Sequence, residues 1–598
     1  MDVFPAHQPP PRVVQSPVPP AIPTTFLSNA EIAHQLITLA QLLGANGENP
    51  FKIKAYRRAA ETVQSLPDSV SELVRREADL TAFSGIGPGI AAAVREIVLS
   101  GGLRLTERLR SSVSPEIAAL SEFPRLDPKR VQQIYARLGI NSVAALRERL
   151  AAGEIGRVLG PRVEHHVRQA LITSQEILLF DADDTAEAVR DFLVRRGGAR
   201  RAAVAGDFRR RVEVIRELVV VVIADNFPRL VTAMEQYGGR TEIVSATDDR
   251  ATFRLPVGLL VTVERTTSAR WGLALVQATG SEAHLAALDA LGPGRRPVAP
   301  ASAGTPEALA RLASSRASFP TEASVYRALG LSVPPPEQRE GLDELARAAA
   351  SRYPRLVTLE DVRGDLHLHT TASDGAHSLA QMAEAARQRG YACIGVTDHS
   401  QSLKIAHGLS EDALRAQIAR VDALNARLKG FRILKSAEVD ILADGKLDYP
   451  DDLLRELDYT VCSIHSKFGL PREQQTERIL RAMDNPYFTL LGHATGRLLL
   501  RRPGYQIDID RVLAHARQCG CFLEINSSPD RLDLSAAHAR LAREAGIRIA
   551  INTDAHSTSE LDFMRCGIDV ARRAGLRRED VLNTHPLPQL LKLLRARR

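Results

Sequence analysis

Cysteine is scarce in this chain: five residues among 598, all between Cys393 and Cys566. So few, confined to one region, give no disulfide framework. Cys519 and Cys521 are separated by one residue, which is not zinc-finger spacing, and buried or idle thiols are expected there. No apolar run approaches the ~20 residues a membrane-spanning helix needs, and the N-terminus has no basic-then-apolar leader pattern. A cytoplasmic location is therefore the expectation. Hydrophobic residues at 44% and charged residues at 25% are ordinary for a soluble globular protein. The length suggests about three to five domains. A net charge of +7, carried mostly by arginine, permits nucleic-acid binding without establishing it.

What the chain does have is concentrated after residue 360. Asp365-Leu366-His367-Leu368-His369 alternates polar and apolar residues as a strand does, which puts His367 and His369 on one face. Seven short apolar runs follow one another, at 364–369, 392–397, 432–436, 459–464, 489–491, 522–525 and 548–551. Amphipathic stretches such as 379–389, 411–428 and 511–518 separate most of them. Strand alternating with helix predicts parallel strands closing into a barrel, with the chemistry at the C-terminal strand ends. Polar residues fall there: Asp374 beyond the first run, His399 after the second, Glu438 after the third, His465 and His493 after the fourth and fifth, Asp554 and His556 after the seventh. One such histidine is most often structural. So many units delivering imidazole or carboxylate to one rim point to a multi-metal hydrolytic site.

The first 25 residues are proline-rich and predict a disordered tail. Ser28 then caps a helical pattern through Leu36, Leu39 and Leu43, and a basic helix containing Lys52, Tyr56 and Arg58 follows. Phe83-Ser84-Gly85-Ile86-Gly87-Pro88-Gly89 has the form of a helix-hairpin-helix turn, in which Gly85, Gly87 and Gly89 let the backbone approach a DNA phosphate. Such contacts ignore base sequence. A second candidate, 123–130, lacks the glycines, and Asp127 would repel a phosphate.

This region resembles the N-terminal part of bacterial family X DNA polymerases. Some members carry a lyase lysine after the first hairpin; the matching position is Ala93, with Ala91 and Ala92 beside it, so the resemblance implies no lyase chemistry here. The resemblance continues through Ala205-Gly206-Asp207-Phe208-Arg209-Arg210-Arg211-Val212-Glu213. Family polymerases hold two metals with three aspartates on adjacent strands. At those positions this chain has Glu217, Val219 and Thr262, and Asp207 replaces the usual serine. Valine and threonine cannot serve as carboxylate ligands, so the resemblance implies a palm without polymerase activity.

The C-terminal residues match the ligand pattern of the PHP (polymerase and histidinol phosphatase) domain at every position: His367, His369, Asp374, His399, Glu438, His465, His493, Asp554 and His556. By that resemblance His367, His369, Glu438 and Asp554 hold one metal, Glu438 bridges to a second on His465 and His493, and Asp374, His399 and His556 hold a third. Two or three divalent ions are implied, Mn²⁺, Zn²⁺ or Fe²⁺ being favoured over Mg²⁺ by the imidazoles. A hydroxide shared by the metals and held near Glu438 would attack phosphorus. Arg497, Arg501, Arg502, Lys467 and Asn526 are candidates for substrate phosphates.

The expected architecture is multidomain. It comprises a tail (1–25), a helical helix-hairpin-helix domain (26–105), a second hairpin or fingers-like region (106–175), an α+β nucleotidyltransferase-like palm (176–290), a thumb remnant and linker (291–360, with a loop near 293–320) and a distorted (β/α)7 barrel (361–598). The expected function is a metal-dependent 3′→5′ exonuclease on gapped DNA or 3′ ends, including abasic or blocked ends, in bacterial DNA repair. The alternatives are a bifunctional polymerase and exonuclease, a small-molecule phosphatase and a non-catalytic DNA-binding protein.

Overall fold

In the computed structural model, the described residues are 27–45, 48–83, 85–112, parts of 134–167, and 176–595 apart from 240, 256–257, 292–307 and 351–352. The proline-rich tail and the second hairpin candidate at 123–130 lie outside them. The chain packs as two units: Met1–His165 with Tyr237–Arg240, and His166–Gln236 with Thr241–Arg598.

In the first unit the Ser28 hydroxyl and backbone N–H both donate to Glu31, each at 2.7 Å, and close the start of helix Asn29–Ala45. Its apolar stripe, Ile32, Leu36, Leu39 and Leu43, packs against Ala59, Val63, Leu80, Val94 and Ile97 from the following helices. Between helices Pro50–Ser65 and Pro88–Ser100 runs the glycine turn. Gly85 has φ +86°, and a Cβ there would approach the Thr62 hydroxyl to 3.1 Å, so this position requires glycine. Gly87 caps the next helix, Pro88 begins it, and side chains at Gly87 or Gly89 would meet nothing. Ala91 and Ala93 are buried in the core, and Ala92 between them is exposed.

The second unit begins with a five-stranded mixed sheet in the order Ala199–Val204, Glu217–Ala224, Leu260–Arg265, Arg250–Arg254, Glu242–Ala246. Only the pair Glu217–Ala224 and Leu260–Arg265 is parallel, and its register sets Val219 beside Thr262. The loop expected near 293–320 contains helix Ala308–Ser314 in its described part. That helix joins Trp271–Thr279, Glu282–Asp289 and Glu322–Ala328 around Leu273, Val276, Leu288, Leu309, Phe319, Val325 and Tyr326. The alanine- and serine-rich composition hid a short apolar stripe that is buried only when its neighbours are present.

The rest of the unit is a barrel in which every paired ladder is parallel. One sheet runs Arg432–Lys435, Cys393–Val396, Gly364–Asp365, and the other runs Glu438–Asp440, Val461–Ser463, Leu490–Leu491, Phe522–Asn526, Ile549–Asn552. The third apolar run thus pairs in the first sheet, the chain breaks at Ser436-Ala437, and pairing resumes in the second sheet at Glu438. Bridges at His399–Glu438 and Leu368–Ala555 close the ring. The first strand is shorter than the alternation suggests, because side chains replace the ladder after Asp365. The Asn552 amide oxygen accepts the Leu366 N–H at 3.1 Å, and Asp365 accepts the N–H groups of His367 and Thr553, each at 3.2 Å.

Palm-like sheet and barrel belong to one compact unit, and ion pairs cross between them. Arg211 holds Asp569 at 2.8 Å, Arg565 pairs with Asp183, and Arg497 holds Glu213 at 2.7 Å. Partly buried pairs of this kind fix orientation more than they add stability.

Candidate metal centre

Glu438 lies at the middle of the strand-end cluster, fully enclosed. Its two oxygens face five imidazoles: His399 Nδ1 at 2.8 Å, His493 Nε2 at 2.9 Å, His465 Nε2 at 3.2 Å, His367 Nε2 at 3.5 Å and His369 Nε2 at 3.6 Å. Asp554 accepts from His369 Nε2 at 3.0 Å, and Asp374 stands 3.5 Å from both His399 Nε2 and His556 Nε2. The strand-end residues expected at one rim are therefore together. Three groups offer donor atoms within 4.8 Å of one another: His369, Asp374, His399 and His556; His367, His369 and Asp554; His399, Glu438 and His465. His369 and His399 each fall in two groups, where the resemblance gave each histidine to one metal. A further trio, Asp484, His515 and Cys519, lies apart on the barrel's outer helices, where His515 and Asp484 already pair at 2.9 Å.

The donors suit a metal better than they suit each other. His367 Nε2, His369 Nδ1, His399 Nδ1 and Glu438 Oε2 are buried without a hydrogen-bond partner. A cluster of buried polar atoms in near contact but without hydrogen-bond geometry calls for an ion. Tautomers agree. His367 Nδ1 donates to Glu524 at 2.7 Å and His556 Nδ1 to the Asp554 carbonyl at 2.8 Å, while His465 Nδ1 faces Asp440. These acceptors can only accept, so each Nδ1 carries the proton and each Nε2 keeps its lone pair toward the cluster.

Electrostatics without an ion follow the same arrangement. Burial works against charge on Glu438, Asp374 and Asp554, but the surrounding imidazoles outweigh it and hold all three below the usual carboxylate range. Burial likewise opposes charge on His399, His465 and His556, yet the facing carboxylates push them up to about 10, 9 and 9. His369 goes the other way, down to about 4, through burial and the adjacent His556 and His399 rings. Backbone strain accompanies the ligands: Asp554 has φ +56° and His493 φ +24°, conformations that non-glycine residues hold only when surroundings impose them.

Several residues that the sequence did not single out build the support. Glu524, inside the apolar run Phe522-Leu523-Glu524-Ile525, is fully buried and also accepts the His493 N–H at 2.8 Å and the Asn552 amide at 2.9 Å. Asp398 accepts the Thr370 N–H at 2.8 Å and the Gln417 amide at 2.7 Å, securing the loop that leads to Asp374. Burial pushes Asp365 up to about 6. The available signal was an acid inside an apolar run, as at Glu524, or one strand step from a ligand, as at Asp440.

The phosphate candidates separate. Asn526 is buried and donates to Asp554 Oδ2 at 3.0 Å, so its amide is committed to that acid. Arg497 donates to the Arg531 carbonyl at 2.9 Å and pairs with Glu213, which leaves it committed inside the protein. Arg501 pairs with Asp530 at 3.1 Å on the surface. Arg502 lies 4.4 Å over the Phe468 ring and donates to the Gly496 carbonyl at 2.8 Å, with no carboxylate bonded to it among the described residues. Lys467 is exposed, at φ +56°. Arg531, not foreseen, places its Nε 3.5 Å from Asp554 Oδ2.

Comparison with known proteins agrees with this geometry. Residues 27–103 match the family model for the helix-hairpin-helix domain, and residues 365–528 match that for the PHP domain. The DNA polymerase/3'-5' exonuclease PolX of Bacillus subtilis (strain 168) is 32% identical over 574 residues, covering 94% of this chain and 99% of its own. A protein of Thermoanaerobacter sp. (strain X514) named "Probable phosphatase" is 32% identical over 231 residues, covering 37% of this chain and 89% of its own. With its cluster-bearing barrel behind a helix-hairpin-helix unit and a similarity that spans nearly its whole length, the chain belongs to the bacterial family X DNA polymerases that carry a fused PHP domain.

Proposed function

We propose that this protein is a divalent-metal-dependent phosphodiesterase that shortens DNA from 3′ ends, and that its palm-like sheet no longer polymerises. The observation that carries the reading is Glu438, buried at the contact of five imidazoles and flanked by Asp374 and Asp554. In the proposed assignment His367, His369, Asp374, His399, Glu438, His465, His493, Asp554 and His556 hold two or three ions, with Mn²⁺, Zn²⁺ or Fe²⁺ preferred for so imidazole-rich a set. Ions bound there would supply Lewis-acid charge neutralisation and an acidified water. The chain's own contribution is to keep the carboxylates ionised, to aim the Nε2 lone pairs of His367, His465 and His556 through the bonds at Nδ1, and to exclude bulk water from Glu438. Arg502, Lys467 and Arg531 are the cations left at the edge for substrate phosphates.

For the palm, Glu217, Val219 and Thr262 stand where the family's aspartates would be. Val219 and Thr262 are register partners on parallel strands, and the Thr262 hydroxyl is bonded to Thr252 at 2.8 Å. The neighbouring arginines are engaged: Arg209 with Glu322 at 2.8 Å, Arg210 with Glu340 at 3.1 Å, Arg211 with Asp183 and Asp569. A triphosphate would have to displace those acids. Residues 26–105 would grip DNA through the turn at Gly85, Gly87 and Gly89, where a Cβ at Gly87 or Gly89 would meet nothing within 4 Å.

The test is end-labelled single-stranded and gapped DNA with Mn²⁺. Stepwise shortening from the 3′ end, abolished by a chelator, is expected; no shortening with any divalent ion would sink the reading. The second reading, a polymerase and exonuclease together, is favoured by the printed activity of the Bacillus subtilis relative. Primer extension by the Glu438→Ala variant decides, and incorporation would overturn the assignment of Glu217, Val219 and Thr262.

A further inference from the structure

The segment 528–534 follows the strand that carries Glu524 and turns back on it, the Asn526 N–H donating to the Asp533 carbonyl at 2.6 Å. Its backbone is held in an unusual course, with Leu532 at φ +44°. A leucine stays in that region only if its surroundings fix it. Part of the fixing comes from the loop after His493: Thr495 donates its N–H and its hydroxyl to Asp533 at 2.9 and 3.0 Å, and the Leu499 N–H donates to the Asp530 carbonyl at 2.7 Å. Backbone pairing of Asp533 and Leu534 with Asn526 and Glu524 adds to this, and so does one side chain. Arg497 donates to the Arg531 carbonyl at 2.9 Å and also to the Leu532 carbonyl, so a single guanidinium spans the two peptides at the bend. The same guanidinium bonds Glu213 Oε1 at 2.7 Å, across the contact between sheet and barrel. Both side chains are four-fifths buried. At the far end of the bend, the Arg531 side chain reaches Asp554 Oδ2 at 3.5 Å.

We propose that Glu213, which lies in the polymerase-like motif, is a positioning residue of the barrel's phosphoesterase site, acting through Arg497 on the 528–534 bend. A guanidinium already bonding two carbonyls in a partly buried place needs a carboxylate to remain there, and among the described residues Glu213 is the one bonded to it. Without that carboxylate Arg497 turns toward solvent, the bend relaxes, and Arg531 loses its place beside Asp554. The palm-like sheet is thereby part of the nuclease even with its own chemistry gone. The inference rests on the phosphodiesterase reading above.

The experiment compares full-length Glu213→Gln, Arg497→Gln and the double variant with a control, Asp569→Asn, which breaks the Arg211 pair elsewhere in the same contact. Hydrogen–deuterium exchange over 528–534, metal content, kcat and KM on a 3′-labelled oligonucleotide are measured. Glu213→Gln is expected to speed exchange in 528–534 and lower kcat on the order of tenfold, since small misplacements near reacting groups are costly. Metal content stays unchanged, and the double variant is no worse than Arg497→Gln alone. Asp569→Asn is expected to change neither exchange in that segment nor kcat. Unchanged exchange and kcat in Glu213→Gln, or an equal fall in Asp569→Asn, would overturn the inference. An inactive wild type would instead overturn the phosphodiesterase reading, and the exchange data would still decide whether Glu213 holds the bend.

Discussion

The barrel rim and the palm-like sheet present two versions of one design problem, which is how to keep acids at the ends of strands. On the rim, Glu438, Glu524 and Asp554 are buried, and each has imidazoles or amides against it. On the sheet, Val219 and Thr262 are register partners on parallel strands, and Thr262 is fully buried with its hydroxyl bonded to that of Thr252. A buried charge is tolerable only with partners. The rim supplies those partners, whereas the paired strands of the sheet set a valine against a threonine. The arginines show the same contrast: those beside the sheet are consumed by Glu322, Glu340, Asp183 and Asp569, whereas Arg502 and Arg531 at the rim keep donor capacity.

The comparison breaks most decisively at Glu438. Glu438→Ala removes the carboxylate shared by five imidazoles, and loss of at least ~100-fold in 3′-end removal is expected together with loss of bound metal, read by elemental analysis. Retained activity with retained metal would show that the rim is not the reaction centre. Glu524→Gln probes the support: it keeps the shape but weakens the bond that orients His367, and a fall of roughly 10–100-fold in metal affinity or activity is expected. A titration with Mn²⁺ would measure it.

On the sheet the expected effects are smaller. Val219→Asp puts an acid into the apolar cluster around Trp271 and should lower stability by about 1–3 kcal/mol without giving nucleotide incorporation. Urea unfolding and primer extension check both parts; incorporation after combining it with Thr262→Asp would mean that the palm is only two substitutions from activity. Thr262→Val should matter least, at about 1 kcal/mol, because it costs a single neutral hydrogen bond.

Much of the rim was legible because a ligand at a strand end leaves a mark in sequence: a short apolar run, then His or an acid. His367, His369, His399, His465 and His493 all carry that mark. Glu524 did not stand out, and Asn526 stood out only as a phosphate candidate, since each is defined by what it touches on other strands. Arg497 was misleading for the same reason. Its position beside His493-Ala494-Thr495-Gly496 suggested phosphate, and only the folded chain sets Glu213 against it. Helix Ala308–Ser314 was lost in a composition that looks like loop until its neighbours are present.

By itself the sequence determined the parallel barrel and the inventory of histidines and acids at its strand ends, because periodicity and residue type are local properties. Tertiary structure alone decided which histidines share a carboxylate, which nitrogen each turns inward, and that one arginine joins the polymerase-like motif to the 528–534 bend. Those facts depend on distances of a few ångströms between residues up to 284 positions apart, as in the pair of Arg497 and Glu213.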